Sequence, residues 1–272
     1  LIASALCLIN CTGKPETTSP QRNKLRPKTE VKIGPYTYRS YSGETLGQGA
    51  FEIWRGDKVI LREEDGDYNI SLDRKDSNLP EPGKDITGDG LPDLVIEVYS
   101  GGAHCCFEYL ILSLGEEVKK LDRISGGNSS FEFKDLNGDG IYEAIGNDDT
   151  FAYWETSYVE SPMPGVILKF DGKKYVVSDL MRRPAPSDEQ LVAKLEEVSR
   201  DQGESRWGIP PSAWGYMLEL IYGGNGDLAW KFCDMIWAKR GKGNREDFLS
   251  EFRKQLAESP YWDGIKSLNG WR

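Results

Sequence analysis

Nine residues recur fifty positions apart in this chain: Asp85-Ile-Thr-Gly-Asp-Gly-Leu-Pro-Asp93 and Asp135-Leu-Asn-Gly-Asp-Gly-Ile-Tyr-Glu143. Both read D-x-[T/N]-G-D-G-x-x-[D/E], a wording that leaves the backbone few choices. Glycine at the sixth position permits a sharp turn, which brings the oxygens at positions 1, 3 and 5 toward one point. A main-chain carbonyl at position 7 and the acid at position 9 complete the cage. The expected ligands are Asp85, Thr87, Asp89, Leu91 (carbonyl) and Asp93 in the first loop. In the second they are Asp135, Asn137, Asp139, Ile141 (carbonyl) and Glu143. An all-oxygen set suits Ca2+, a hard cation taking about six to eight oxygens, whereas zinc or copper would want nitrogen or sulfur. Two calcium sites are therefore expected, the second the better because Thr87 is a weaker ligand than Asn137. The competing reading is a pair of tight Asx turns that hold no ion. An EF-hand does not fit, since Ile96 and Gly146 stand where its twelfth-position Glu belongs.

Around these loops the pattern is that of β-strands. Apolar or alternating runs occur at Ala50–Trp54, Lys58–Arg62, Asp93–Tyr99, Phe107–Ser113 and Gly165–Phe170, with Arg55-Gly-Asp57 and Asp171-Gly-Lys173 as hairpin turns. Asp65-Gly-Asp-Tyr-Asn69 lacks the sixth-position glycine and reads as a further hairpin turn instead of a third loop. Loop plus following strand resembles the FG-GAP and VCBS-type repeats, over two units from about Asp85 to Asp179. The resemblance implies calcium loops between strands of propeller blades, and a platform for binding proteins or other ligands. Three fifty-residue units are too few for a closed propeller. The expected fold is therefore α+β: a β-rich domain at 31–183, either a partial propeller-like array or a sandwich, followed by a helical-hairpin bundle at 187–272.

The helical part announces itself by a change of period after Pro184-Ala-Pro186. Ser187-Asp-Glu-Gln190 is a capping box, and Leu191, Leu195 and Val198 follow on one face. Pro211-Ser212 opens a second helix with Trp214, Met217, Leu218 and Ile221 inward. A third carries Leu228, Phe232, Met235 and Ile236. The fourth, capped by Asn244, carries Phe248, Phe252 and Leu256.

The front of the chain bears on location. Residues 1–10 (LIASALCLIN) are apolar and uncharged, too short to span a bilayer but suited to the core of a signal peptide whose Met and basic start are missing. Leu8-Ile-Asn-Cys11 resembles a bacterial lipobox, although Asn10 replaces the usual small residue. Cys11 is the expected lipidation site, and 11–30 the disordered tether behind it. This predicts a lipid-anchored, extracytoplasmic protein of the bacterial cell envelope. Cys105, Cys106 and Cys233 then remain for one disulfide: a bond to Cys233 tying the β part to the helices, or a vicinal Cys105–Cys106 pair.

The net charge of −10 argues against nucleic acid and anionic lipid as partners. No Walker loop, G-x-S-x-G or H-E-x-x-H occurs. His104 is the sole histidine, adjacent to Cys105 and two positions from Cys106, a poor nucleophile–base set. With Cys233 these would supply only three ligands for zinc. Arg55-Gly-Asp57 is an adhesion tripeptide but equally ordinary turn chemistry. The expectation is a calcium-binding envelope lipoprotein acting as an interaction module for a protein or glycan ligand, not an enzyme. A glycosidase-like hydrolase with an acid pair, which leaves no sequence signature, and a purely structural envelope protein are the alternatives.

Overall fold

The computed structural model describes residues 25–101, 106–203 and 205–271. Its first half is an antiparallel meander of seven strands in chain order. These are β1 (Arg26–Ile33), β2 (Tyr36–Ser42), β3 (Gly49–Arg55), β4 (Lys58–Asn69), β5 (Asp93–Tyr99), β6 (Phe107–Leu114) and β7 (Val118–Gly127). A second sheet, in the order β11-β10-β9-β8, comprises β8 (Glu132–Lys134), β9 (Glu143–Asn147), β10 (Gly165–Phe170) and β11 (Tyr175–Val177). Five helices follow: α1 (Asp188–Val198), α2 (Pro211–Tyr222), α3 (Gly226–Arg240), α4 (Arg245–Ala257) and α5 (Trp262–Leu268).

The fold is thus α+β, strands first and helices last. Among the described residues neither sheet closes into a barrel or a propeller. The propeller-like array fails because seven strands share one sheet, whereas blades need separate small ones.

β4 turns the large sheet back on itself. Its first part pairs with β3 and its last three residues, Asp67–Asn69, with β5. Between them the register slips at Gly49/Ala50, Asp65 takes a φ of +66°, and a side chain at Gly66 would meet Val98 at 2.8 Å. The stretch 65–69, expected as a hairpin turn, is therefore a bulge inside a strand. This bend brings Tyr38, Phe51 and Ile53 against Leu94, Ile96, Leu110 and Leu112 in one core. Strict alternation on β3 explains the choice: Phe51 and Ile53 face in, Glu52 and Trp54 face the other side. Tyr36 Oη donates to the carbonyls of Gly115 and Glu116, each at 3.0 Å, fastening β2 to the β6–β7 turn.

The helices pack against one another and also against the sheets. Their buried side chains, Trp214 and Phe252 among them, join Phe131, Phe133, Val166 and Leu168 of the small-sheet region, and Val95 and Ile111 of the large sheet, in one continuous core. Each fully buried Phe or Leu here contributes about 2 kcal/mol. The local signals are as expected. The Ser187–Gln190 capping box is formed in both directions, Pro211 occupies the first turn of α2, and Asn244 accepts from the Glu246 amide. A buried polar knot adds to this junction. Asp148, 3% exposed, accepts hydrogen bonds from the hydroxyls of Thr150, Tyr222 and Ser259, so it links the end of β9 to α2 and to the turn after α4. Burial, with Asp148 adding to it, holds the Tyr222 phenol well above its ordinary range.

β1 begins at Arg26, so the tether expected to run to residue 30 is cut short: 26–30 pair with β2. The expected signal segment, Cys11 and His104 lie outside the described residues, and no helix among those described is long and apolar enough to cross a membrane.

Candidate metal centre

The two nonamers fold alike. Gly88 and Gly138 have φ of +75° and +79°, Gly90 and Gly140 +80° and +86°, conformations that L side chains rarely adopt. In the first loop Asp85 Oδ1 accepts from the amide of Gly88 at 2.7 Å and Oδ2 from that of Gly90 at 2.9 Å. In the second, Asp135 repeats both bonds with Gly138 at 2.6 Å and Gly140 at 3.0 Å. Position 5 is equally matched: Asp89 accepts from the Leu91 amide and Asp139 from the Ile141 amide, both at 2.8 Å. At position 3, Thr87 Oγ1 donates to Asp93 and Asn137 Nδ2 to Asp139.

The loops lie side by side. The Tyr142 amide donates to the Ile86 carbonyl at 2.8 Å, and a side chain at Gly88 would meet Ile141 at 2.9 Å. Beneath them are the ninth-position acids, Asp93 at 1% and Glu143 at 2% exposure. Both act on Tyr175, whose phenol is held above its ordinary range first by burial and then by the carboxylates of Asp93, Asp122 and Glu143. Asp93 Oδ2 collects the Ile86 and Thr87 amides and the Thr87 hydroxyl at 3.0–3.1 Å. Its other oxygen is buried without a hydrogen-bond partner. Burial pushes the Asp93 carboxyl above the usual carboxylate range, against the pull of those donors. Among the described residues neither Asp93 nor Glu143 forms an ion pair.

The expected ligand positions are therefore brought into two adjacent, equivalent loops. Among the described residues no group of three or more His, Cys, Asp or Glu side chains is gathered as a metal cluster. The carboxylates at positions 1 and 5 are turned to their own loop amides, as in Asx turns. Each carboxylate oxygen carries a second lone pair, so an amide bond and a metal bond are compatible. The donor set of carboxylates, a hydroxyl, an amide oxygen and carbonyls fits a hard cation, and one buried Asp93 oxygen is left without a protein partner.

The cysteines fall out differently from one of the two expectations. Cys233 is free and buried, its thiol pushed up to about 12 by burial. It therefore does not staple the helices to the sheets; Cys106 is disulfide-bonded. A zinc site drawing on Cys106 and Cys233 falls with the same finding. Arg55 donates to the Glu116 carbonyl at 2.7 Å and lies over the Tyr36 ring, so the tripeptide's cation serves the fold.

One cluster escaped the sequence reading. Asp67 and Glu97, on β4 and β5, line a single cavity that includes none of the loop residues, with Arg74 and Tyr99 beside them. No spacing rule connects such residues; only the register of two strands does.

An 86-residue segment, 31% of the chain, is 30% identical to an uncharacterised protein of Sinorhizobium fredii, of which it covers 14%. An 81-residue segment, 28% of the chain, is 33% identical to a probable thylakoid lumen protein of Synechocystis sp., of which it covers 23%. The chain thus spans less than a quarter of the length of each. No family model matches the chain, and no solved structure matches it.

Proposed function

We propose that this protein is an extracytoplasmic calcium-binding module that presents a stiffened β-sandwich-like surface to a protein or glycan ligand. The observation that carries the proposal is the pair of buried ninth-position acids under two like-folded oxygen loops, one of them with an unpartnered oxygen. Buried carboxylates without a counter-charge are costly, and a divalent cation is the simplest compensation. Calcium would be held in the first loop by Asp85, Thr87, Asp89, the Leu91 carbonyl and Asp93. The second set is Asp135, Asn137, Asp139, the Ile141 carbonyl and Glu143. Its chemistry there is structural: it neutralises crowded charge and ties each loop to the strand that leaves it. The lumenal relative and the lipobox-like Leu8–Cys11 both favour an extracytoplasmic setting, with Cys11 as a lipid anchor in the cell envelope. The hydrolase alternative has one observation in its favour, the Asp67 and Glu97 carboxylates sharing a cavity.

Replacing Asp93 by Asn tests the calcium reading through a reversal of sign. Asn keeps an acceptor for the Ile86 and Thr87 amides and removes the uncompensated charge. The metal-free variant should then be more stable than wild type by roughly 1–2 kcal/mol. With calcium present the order should invert, because the first loop has lost its deepest ligand. Urea unfolding with chelator and with excess calcium reads both. A variant that is less stable than wild type in chelator, or that gains as much from calcium, contradicts the assignment.

A further inference from the structure

The cavity at the β4–β5 junction, about 660 Å³, lies within the usual range of small-molecule sites, ~300–1,000 Å³. Pairing of Asp67 with Tyr99 and Asn69 with Glu97 fixes one wall, and pairing of Tyr99 with Phe107 extends it across β6. Alternation puts all five side chains on the face opposite the core of the curled sheet. Glycines bring the other wall close: a side chain at Gly47 would meet the Ser100 carbonyl at 2.4 Å, and one at Gly101 the Leu46 carbonyl at 2.8 Å.

The polar groups here are held in place. Glu97 is 3% exposed; the Arg74 guanidinium donates to one of its oxygens and the Tyr109 hydroxyl to the other at 3.2 Å. Asp67 accepts the Gly47 amide at 3.0 Å. Lys28 Nζ donates to the Asn69 side-chain oxygen and to the Tyr68 carbonyl. Tyr99 and Phe107, both half-buried, stack with ring centroids 5.0 Å apart.

We infer that this cavity binds a neutral saccharide. Three carboxylates (Glu44, Asp67 and Glu97) and two cations (Lys28 and Arg74) line it, so a phosphate would meet the carboxylates and a polyamine would meet Lys28 and Arg74. What suits fixed donors and acceptors of both signs is a molecule that offers both from each group, as a hydroxyl does. The aromatic pair supplies an apolar wall for the C–H face of a sugar ring. This rests on the reading of the protein as a ligand-binding module, and it uses none of the calcium-loop side chains.

The test is saturation-transfer NMR and calorimetry on the whole chain with cellobiose, maltose and chitobiose as probes, inorganic phosphate and spermidine as contrasts. At least one disaccharide should bind saturably, with phosphate and spermidine silent. Tyr99→Ala and Asp67→Asn should each weaken that binding at least tenfold while leaving the calcium-dependent melting shift intact. Absence of saturation by all three disaccharides at about 10 mM, weaker than about −3 kcal/mol, overturns the inference. So does an unchanged affinity in both variants, or tighter binding of phosphate or spermidine. A missing calcium shift with sugar binding preserved would sink the calcium reading alone.

Discussion

Stripping calcium with a chelator should lower the melting midpoint of this protein by about 10–20 °C, and excess calcium should restore it. The size follows from linkage. A site held at a hundred times its dissociation constant adds about 2.7 kcal/mol to the folded state, so two sites add roughly 5 kcal/mol. In a domain of this length each kcal/mol moves the midpoint by about 2–4 °C. The mechanism is local: Asp93 and Glu143 are buried beneath the loops, and one Asp93 oxygen has no partner. The metal-free fold therefore carries charge that the unfolded chain solvates freely. Magnesium should restore much less, because it demands near-ideal octahedral geometry and gives up water reluctantly.

Replacing Asp148 by Ala should cost about 3–5 kcal/mol, the largest single-residue loss expected outside the apolar core. The carboxylate is the common acceptor for Thr150, Tyr222 and Ser259, and its removal leaves buried hydroxyls without partners. Asp148→Asn retains one acceptor oxygen and should lose only about 1–2 kcal/mol. Because the small sheet and the helices share one core, the loss should appear as a shift of a single cooperative transition in urea. A loss below about 1 kcal/mol for the alanine variant would mean that water or neighbouring groups satisfy the hydroxyls.

Strands with an unbroken apolar run were legible in the sequence, and strands without one, such as β2 (YTYRSYS) with its buried Tyr36 and Tyr38, were not. β5 and β10 match their apolar runs end to end because nearly every inward position is Leu, Ile or Val. β1 (RPKTEVKI) is mostly exposed, belongs to the sheet edge, and carries no such alternation until its end. The seven-residue α5 is too short for helical periodicity to register. The bulge at 65–69 was misread because Asp-Gly signals a positive φ without saying whether a turn or a bend inside a strand uses it. The turns of the two loops could be read residue by residue, since the aspartates and glycines that form them are local in the chain. Asp67 and Glu97 could not, since strand register alone makes them neighbours. The helical period was visible, but that its apolar face covers the small sheet is a property of the assembled core.

Calorimetric titration of calcium into metal-free protein tests the central claim most directly. The account predicts two ions per chain, and one in a variant carrying Asp135→Ala with Asp139→Ala. Titration without heat or melting shift, or a stoichiometry unchanged when the second loop has lost Asp135 and Asp139, would contradict it.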